Sequence, residues 1–201
     1  MLKSLVILFS VLLGIGLIVI AWFLFHLFKG AGGDGYTPVD KEISDQYYTK
    51  DSQAYFVMMG NFFELGAQLI DGADVSTFSV LSKEYARDSK HIYFNGKIVE
   101  TIDYDSFELL SRLYAKDKHA VYIYGNREER ADVLSFEVLG FDVPGSEAQG
   151  DSYYAKDKNA VWYFHDVLEG ADPESFEAFS DPKSGKDDRH FYNDGHAVKQ
   201  I

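Results

Sequence analysis

A short phrase recurs along this chain: Tyr-x-Lys/Arg-Asp, with an aromatic residue five positions beyond the Asp. Good copies begin at Tyr48, Tyr85, Tyr114 and Tyr154, and a degenerate fifth begins at Ser184. The Asp falls at 51, 88, 117, 157 and 187, giving spacings of 37, 29, 40 and 30 residues. A period of this size restricts the chain to an array of supersecondary units, each burying its apolar side against its neighbours.

Counting from the Asp exposes the design of one unit. The residue before it is basic (Lys50, Arg87, Lys116, Lys156, Lys186), and the residue two before it is small (Thr49, Ala86, Ala115, Ala155, Gly185). Five after it stand Phe56, Tyr93, Tyr122, Trp162 and Tyr192. A two-residue turn just after the Asp, whose carboxylate bonds backbone N–H groups two residues on, accounts for the pattern. In the resulting hairpin the small residue faces the aromatic, and the Tyr three before the Asp faces the residue six after it. Asn95-Gly96, Gly125-Asn126 and Asp194-Gly195 predict a second turn. A Ser/Thr-Phe segment then recurs at Thr77-Phe78, Ser106-Phe107, Ser135-Phe136 and Ser175-Phe176. Asp172-Pro173-Glu174 before the last of these reads as a helix start. The expected unit is a β-hairpin, a third strand and one short helical turn. The fold class is thus a β-rich α+β repeat array carried on an N-terminal transmembrane helix.

Lys116-Asp117-Lys118-His119-Ala120-Val121-Tyr122 and Lys156-Asp157-Lys158-Asn159-Ala160-Val161-Trp162-Tyr163 resemble the repeat of the bacterial DKNYY family. The stretch Gly170-Ala171-Asp172-Pro173-Glu174-Ser175-Phe176 is similar to the tail of that repeat, and the resemblance covers about residues 47 to 199. The first unit departs from it with Asp51-Ser52-Gln53-Ala54-Tyr55-Phe56, and the last lacks the leading Tyr. What the resemblance implies is a repeat array; it transfers no catalytic residue.

Residues 5–28 form an almost unbroken apolar run, long enough as a helix to cross a bilayer. It is too long, and too bulky at Trp22, Phe23, Phe25 and Phe28, for a cleaved signal peptide. The expected organisation is a transmembrane anchor at 1–28, a Gly-rich tether at 29–46 and a repeat domain at 47–201, with units beginning near 48, 85, 114, 154 and 184. A single-pass protein of the bacterial inner (cytoplasmic) membrane follows, with its lipid contact through residues 5–28 and its C-terminal head outside the cytoplasm. Beyond residue 29 the chain carries 17 basic against 32 acidic residues, a net of −15. Such a charge repels phosphate backbones and excludes nucleic acid as a partner, while it suits a basic protein.

The sequence offers no constellation for chemistry. It contains no Cys, no Walker loop and no Gly-x-Ser-x-Gly elbow. The repeated Asp residues read as turn formers, and His91 and His190 as hairpin-flank residues. Ser180–Asp188 lacks the alternating ligands and closing Glu of a calcium loop. No catalytic, cofactor-binding or metal-ligating residue is assigned. The expected role is a non-enzymatic protein-binding or scaffolding module at the bacterial cell envelope. An immunity or inhibitor protein against a toxin, and an envelope hydrolase with dispersed carboxylates, stay open beside it.

Overall fold

A computed structural model describes residues 16, 18–20, 33, 35–142 and 149–201. Among these residues five four-stranded antiparallel sheets follow one another, each a simple meander in strand order. The first contains β1 (Thr37–Pro38), β2 (Tyr47–Lys50), β3 (Gln53–Phe56) and β4 (Gln68–Leu69). The second contains β5 (Ser79–Val80), β6 (Tyr85–Arg87), β7 (Ile92–Phe94) and β8 (Lys97–Ile98). The third contains β9 (Glu108–Leu109), β10 (Tyr114–Lys116), β11 (Val121–Ile123) and β12 (Asn126–Glu128). In the fourth, β13 (Glu137–Asp142) and β14 (Gln149–Lys156) lengthen the first hairpin before β15 (Val161–Tyr163) and β16 (Asp166–Val167). The fifth contains β17 (Glu177–Ala178), β18 (Ser184–Lys186), β19 (His190–Asn193) and β20 (His196–Gln200).

The α+β expectation is thereby corrected to a nearly all-β array. The Ser/Thr-Phe segments are not α-helical: one is a single 3-10 turn, Tyr104–Ser106, capped by the Asp103 side chain, and the others are plain turns. Only three residues separate each capping Asp from its Phe. Beyond the Phe the chain is claimed at once by a strand ladder, as in Glu108 opposite Lys116 and Leu109 opposite Ala115. An isolated helical turn cannot compete with that pairing.

The single-pass anchor and its membrane localisation are corrected as well. Among the described residues no helix is long and apolar enough to cross a membrane. The run at 5–28 lies outside the described residues except for 16 and 18–20, which are helical.

Register within the last four sheets follows the sequence. Ala86 faces Tyr93, Ala115 faces Tyr122, Ala155 faces Trp162 and Gly185 faces Tyr192. The first sheet differs: Asp51 and Ser52 themselves form the turn, both with positive φ, so Thr49 faces Ala54 and Tyr47 faces Phe56. In the third sheet the second turn is Tyr124-Gly125 rather than Gly125-Asn126, because Ile123 pairs with Asn126.

In sheets two to five the repeated Asp is a turn former, and a buried one, whereas Asp51 of the first sheet is exposed. In Asp88, Oδ1 accepts from the backbone N–H groups of Lys90 and His91, closing its own turn. Its Oδ2 accepts from the Asp74 N–H at 3.0 Å and from the Tyr93 hydroxyl at 2.7 Å. Asp117 repeats this with His119, Ala120, Asp103 and Tyr122, and Asp187 with Arg189, His190, Asp172 and Tyr192. The second Asp of each pair caps the following Ser turn, as Asp103 does for Ser106. That serine hydroxyl in turn accepts from the Lys118 N–H. One carboxylate thus joins its hairpin turn, its aromatic strand and the start of the preceding Ser/Thr-Phe segment.

The core lies between sheets rather than within them. Tyr47, Phe56, Phe78 and Tyr93 join sheets one and two; Tyr85, Ala115 and Tyr122 join two and three. Tyr114, Phe136 and Trp162 join three and four; Tyr154, Phe176 and Tyr192 join four and five. Tyrosine hydroxyls cross each of three junctions to a carbonyl of the next sheet: Tyr47 to Glu84, Tyr114 to Tyr153 and Tyr154 to Lys183. The last sheet presents Ser184 and Asn193 at the positions that carry the bridging Tyr and its neighbouring aromatic or Ile elsewhere.

Trp162 is fully buried and packs on Phe136 at 5.4 Å, but its Nε1–H has no partner, whereas Tyr93, Tyr122 and Tyr192 each donate to their Asp. Trp162→Ala should therefore cost about 3–5 kcal/mol in denaturant unfolding. Trp162→Tyr should cost less than about 1.5 kcal/mol, because a hydroxyl replaces an orphaned donor and offsets lost volume. Burial alone would raise the Asp187 carboxyl, yet the N–H groups of Asp172, Arg189 and His190 and the Tyr192 hydroxyl lower it to about 2. A depressed native value stabilises above the unfolded carboxylate range and is lost as pH falls. Unfolding free energy should thus decline between about pH 4 and pH 2. Asp187→Asn should weaken the fold near neutrality and flatten that decline; parallel pH profiles for the two proteins would contradict this role.

Candidate functional site

Three of the four junctions share a close contact. At the first, the Phe56 ring lies against Gly96, the second residue of the Asn95-Gly96 turn. At the second, Phe94 lies against Gly125, where an added Cβ would stand 2.6 Å from Phe94 Cγ. At the last, Tyr163 lies against Gly195, where the same atom would stand 2.7 Å from Tyr163 Cδ1. Gly96 must be glycine twice over: its φ is +72°, and no Cβ fits beneath the ring.

The junction of the third and fourth sheets breaks this rule on both sides. Ile123 stands where Phe94 and Tyr163 stand in their sheets, and His165 stands where the glycine stands in the turn. Only Phe164 of that turn has positive φ, at 54°. The Tyr114 hydroxyl closes the inner side, its one proton shared between the carbonyls of Tyr153 and Phe164, each at 2.9 Å. On the outer side an open groove of 560 Å³ remains, walled by Ile123, Tyr124, Phe164 and His165 with Asn126, Arg127 and Glu128 at its rim.

The walls are aromatic and ordered by mutual contact. Tyr124 and Phe164 meet at 5.9 Å with 40° between their planes, and His165 stands edge-on to Tyr124 at 6.3 Å. Tyr153 stacks behind Phe164 at 4.6 Å, which holds that ring in place. The rim charges are paired among themselves. Arg127 meets Glu129 at 2.7 Å, and Arg130 meets Glu128 at 2.8 Å while also donating to the His165 carbonyl. The Arg130 guanidinium accordingly holds the Glu128 carboxyl below the usual range. Burial is the main cause that raises the Tyr124 phenol, with Arg112 nearby opposing it.

Glu84 sits at the preceding junction. Burial raises its carboxyl, Arg112 approaches it at only 3.5 Å, and its Oε2 is enclosed without a hydrogen-bond partner. That oxygen is closed to a substrate. Sequence reasoning missed both the groove and Glu84. Its signal for the groove was legible in the repeat alignment: Ile123 at an aromatic position, His165 at a glycine position.

His91 and His190 each flank their Asp turn, with Nδ1 3.5 Å from Asp88 and 3.8 Å from Asp187. Ser180–Asp188 is a structural segment in which Asp181 accepts from the Lys183 N–H and the Ser184 hydroxyl. Among the described residues no group of three or more His, Asp or Glu is arranged to hold a metal ion.

Comparison with curated proteins and with solved structures returns no match. The family model of the DKNYY family matches residues 27–126 and again 114–201. Those two stretches divide the array near the third sheet and include all five of its repeated Asp turns. A repeat whose buried Asp, basic neighbour and paired aromatics recur in this order places the chain in a family by more than a single motif: it belongs to the DKNYY family.

Proposed function

We propose that the array is a non-enzymatic module that binds a basic protein partner over the face holding the junction groove. The observation that carries this reading is the coincidence of two departures, Ile123 and His165, at one junction, where they leave an open aromatic-walled groove. Rigid rings offer contact area at small conformational cost, the usual basis of binding hot spots. The excess of acidic residues favours approach of a cationic protein and disfavours polyanions. The non-enzymatic part is supported by the carboxyls themselves. Those of the turns are committed to backbone donors, and Glu84, the described carboxyl raised by burial, keeps its free oxygen enclosed.

A photo-crosslinking residue introduced at Asn126 of the full-length protein should trap one basic protein, in a salt-sensitive manner, while the same residue at Gln53 should not. Trapping from Gln53 alone would move the interface off this face and overturn the reading. Tyr124→Asn should weaken that partner's binding by about tenfold or more, the scale of one hot-spot ring. The substitution suits the backbone, since Asn95 and Asp194 occupy the same left-handed position in other sheets. Unchanged affinity would exclude Tyr124 from the interface.

A further inference from the structure

The array contains its own template for what the groove accepts. At three junctions an aromatic ring (Phe56, Phe94 or Tyr163) lies on the turn of the next sheet. At the third-to-fourth junction the chain supplies only Ile123, and the space opens to solvent as the 560 Å³ groove. We propose that this groove is the seat of a phenylalanine or tyrosine ring presented by the protein partner, a ring supplied from outside where the other junctions supply it from within. The proposal rests on the binding-module reading above and gives the side-chain chemistry of its partner.

Three observations favour an aromatic occupant over an aliphatic or charged one. First, the two walls form a V of Tyr124 and Phe164 rings with His165 on edge. A third ring entering it makes the tilted and edge contacts that aromatic quadrupoles prefer. The array's core is built from the same contacts, such as Phe78 on Tyr93 at 5.4 Å and Phe176 on Tyr192 at 5.3 Å. Second, the rim ions are already paired, Arg127 with Glu129 and Arg130 with Glu128. An apolar ring therefore covers no lone charge, and a charged side chain finds no free counter-ion in these pairs. Third, β12 is the outer strand of its sheet and borders the groove, so the backbone carrying the ring has a strand edge to run beside.

Full-length protein would be titrated with N-acetyl-phenylalaninamide, N-acetyl-leucinamide and N-acetyl-lysinamide, followed by NMR of the Ile123 methyl groups and the Tyr124 and Phe164 rings. The phenylalanine probe should shift these signals saturably, at a dissociation constant on the order of millimolar, as befits so small a ligand. It should bind about fivefold or more tighter than the leucine probe, and the lysine probe should leave the signals unmoved. The double substitution Ile123→Phe with His165→Gly rebuilds the regular junction. It should preserve the thermal midpoint or raise it while abolishing the shifts. Should that variant fail to fold, Tyr124→Asn, which removes one wall, should weaken the phenylalanine probe by about tenfold. Equal shifts from the leucine probe, shifts confined to other residues, or an undiminished response in the folded double variant would overturn the proposal. The partner crosslink from Asn126 separates the two levels. A crosslink that the folded double variant retains at full strength sinks the ring seat and leaves the module standing, and its absence from wild type sinks the module itself.

Discussion

The buried carboxylate of the repeated Asp in sheets two to five is the contact on which the array depends. A lone carboxylate under a sheet is costly to desolvate, and it is tolerated only where donors surround it. Asp88 gathers three backbone N–H groups and a tyrosine hydroxyl; Asp117 and Asp187 do the same. Because one of those N–H groups belongs to the segment fourteen or fifteen residues earlier, the carboxylate fixes the spacing between Ser/Thr-Phe turn and hairpin. Asp157 keeps its bond to the Asp132 N–H across twenty-five residues. The extra length is absorbed by the elongated β13–β14 hairpin, and the three backbone donors to the carboxylate are kept.

Packing between sheets follows from the same device. With the turn fixed, the aromatic five positions on is held beneath the strand, and the Ser/Thr-Phe ring slots between it and the tyrosine of the previous sheet. Phe136 does so between Tyr114 at 5.9 Å and Trp162 at 5.4 Å. No sheet of four short strands could bury so many rings alone, which is why each inner sheet contributes to two clusters and each end sheet to one.

Much of this was legible in the residues. The Asp-anchored turn, the Ala-against-aromatic register and the turn at Asn95-Gly96 all follow from spacing and turn chemistry. The burial of the Asp was not legible, because its donors come from a segment whose return to the turn only the fold reveals. The helical turn was misjudged for a related reason. Asp172-Pro173-Glu174 does start like a helix, but the strand pairing of Glu177 with Lys186 takes the chain before a helix can form. The groove depends on what is missing at a junction, and only stacking shows that Ile123 and His165 meet there.

The fifth sheet carries one more consequence. Its Ser184 and Asn193 occupy the positions from which a tyrosine hydroxyl and an apolar side chain elsewhere reach the next sheet. A sixth meander laid on this face would find no phenol to bind its carbonyl and no ring to cover its glycine. A second copy of the molecule meeting this face would therefore lack the phenol-to-carbonyl bond that Tyr47, Tyr114 and Tyr154 make and the ring-on-glycine contact that Phe56, Phe94 and Tyr163 make.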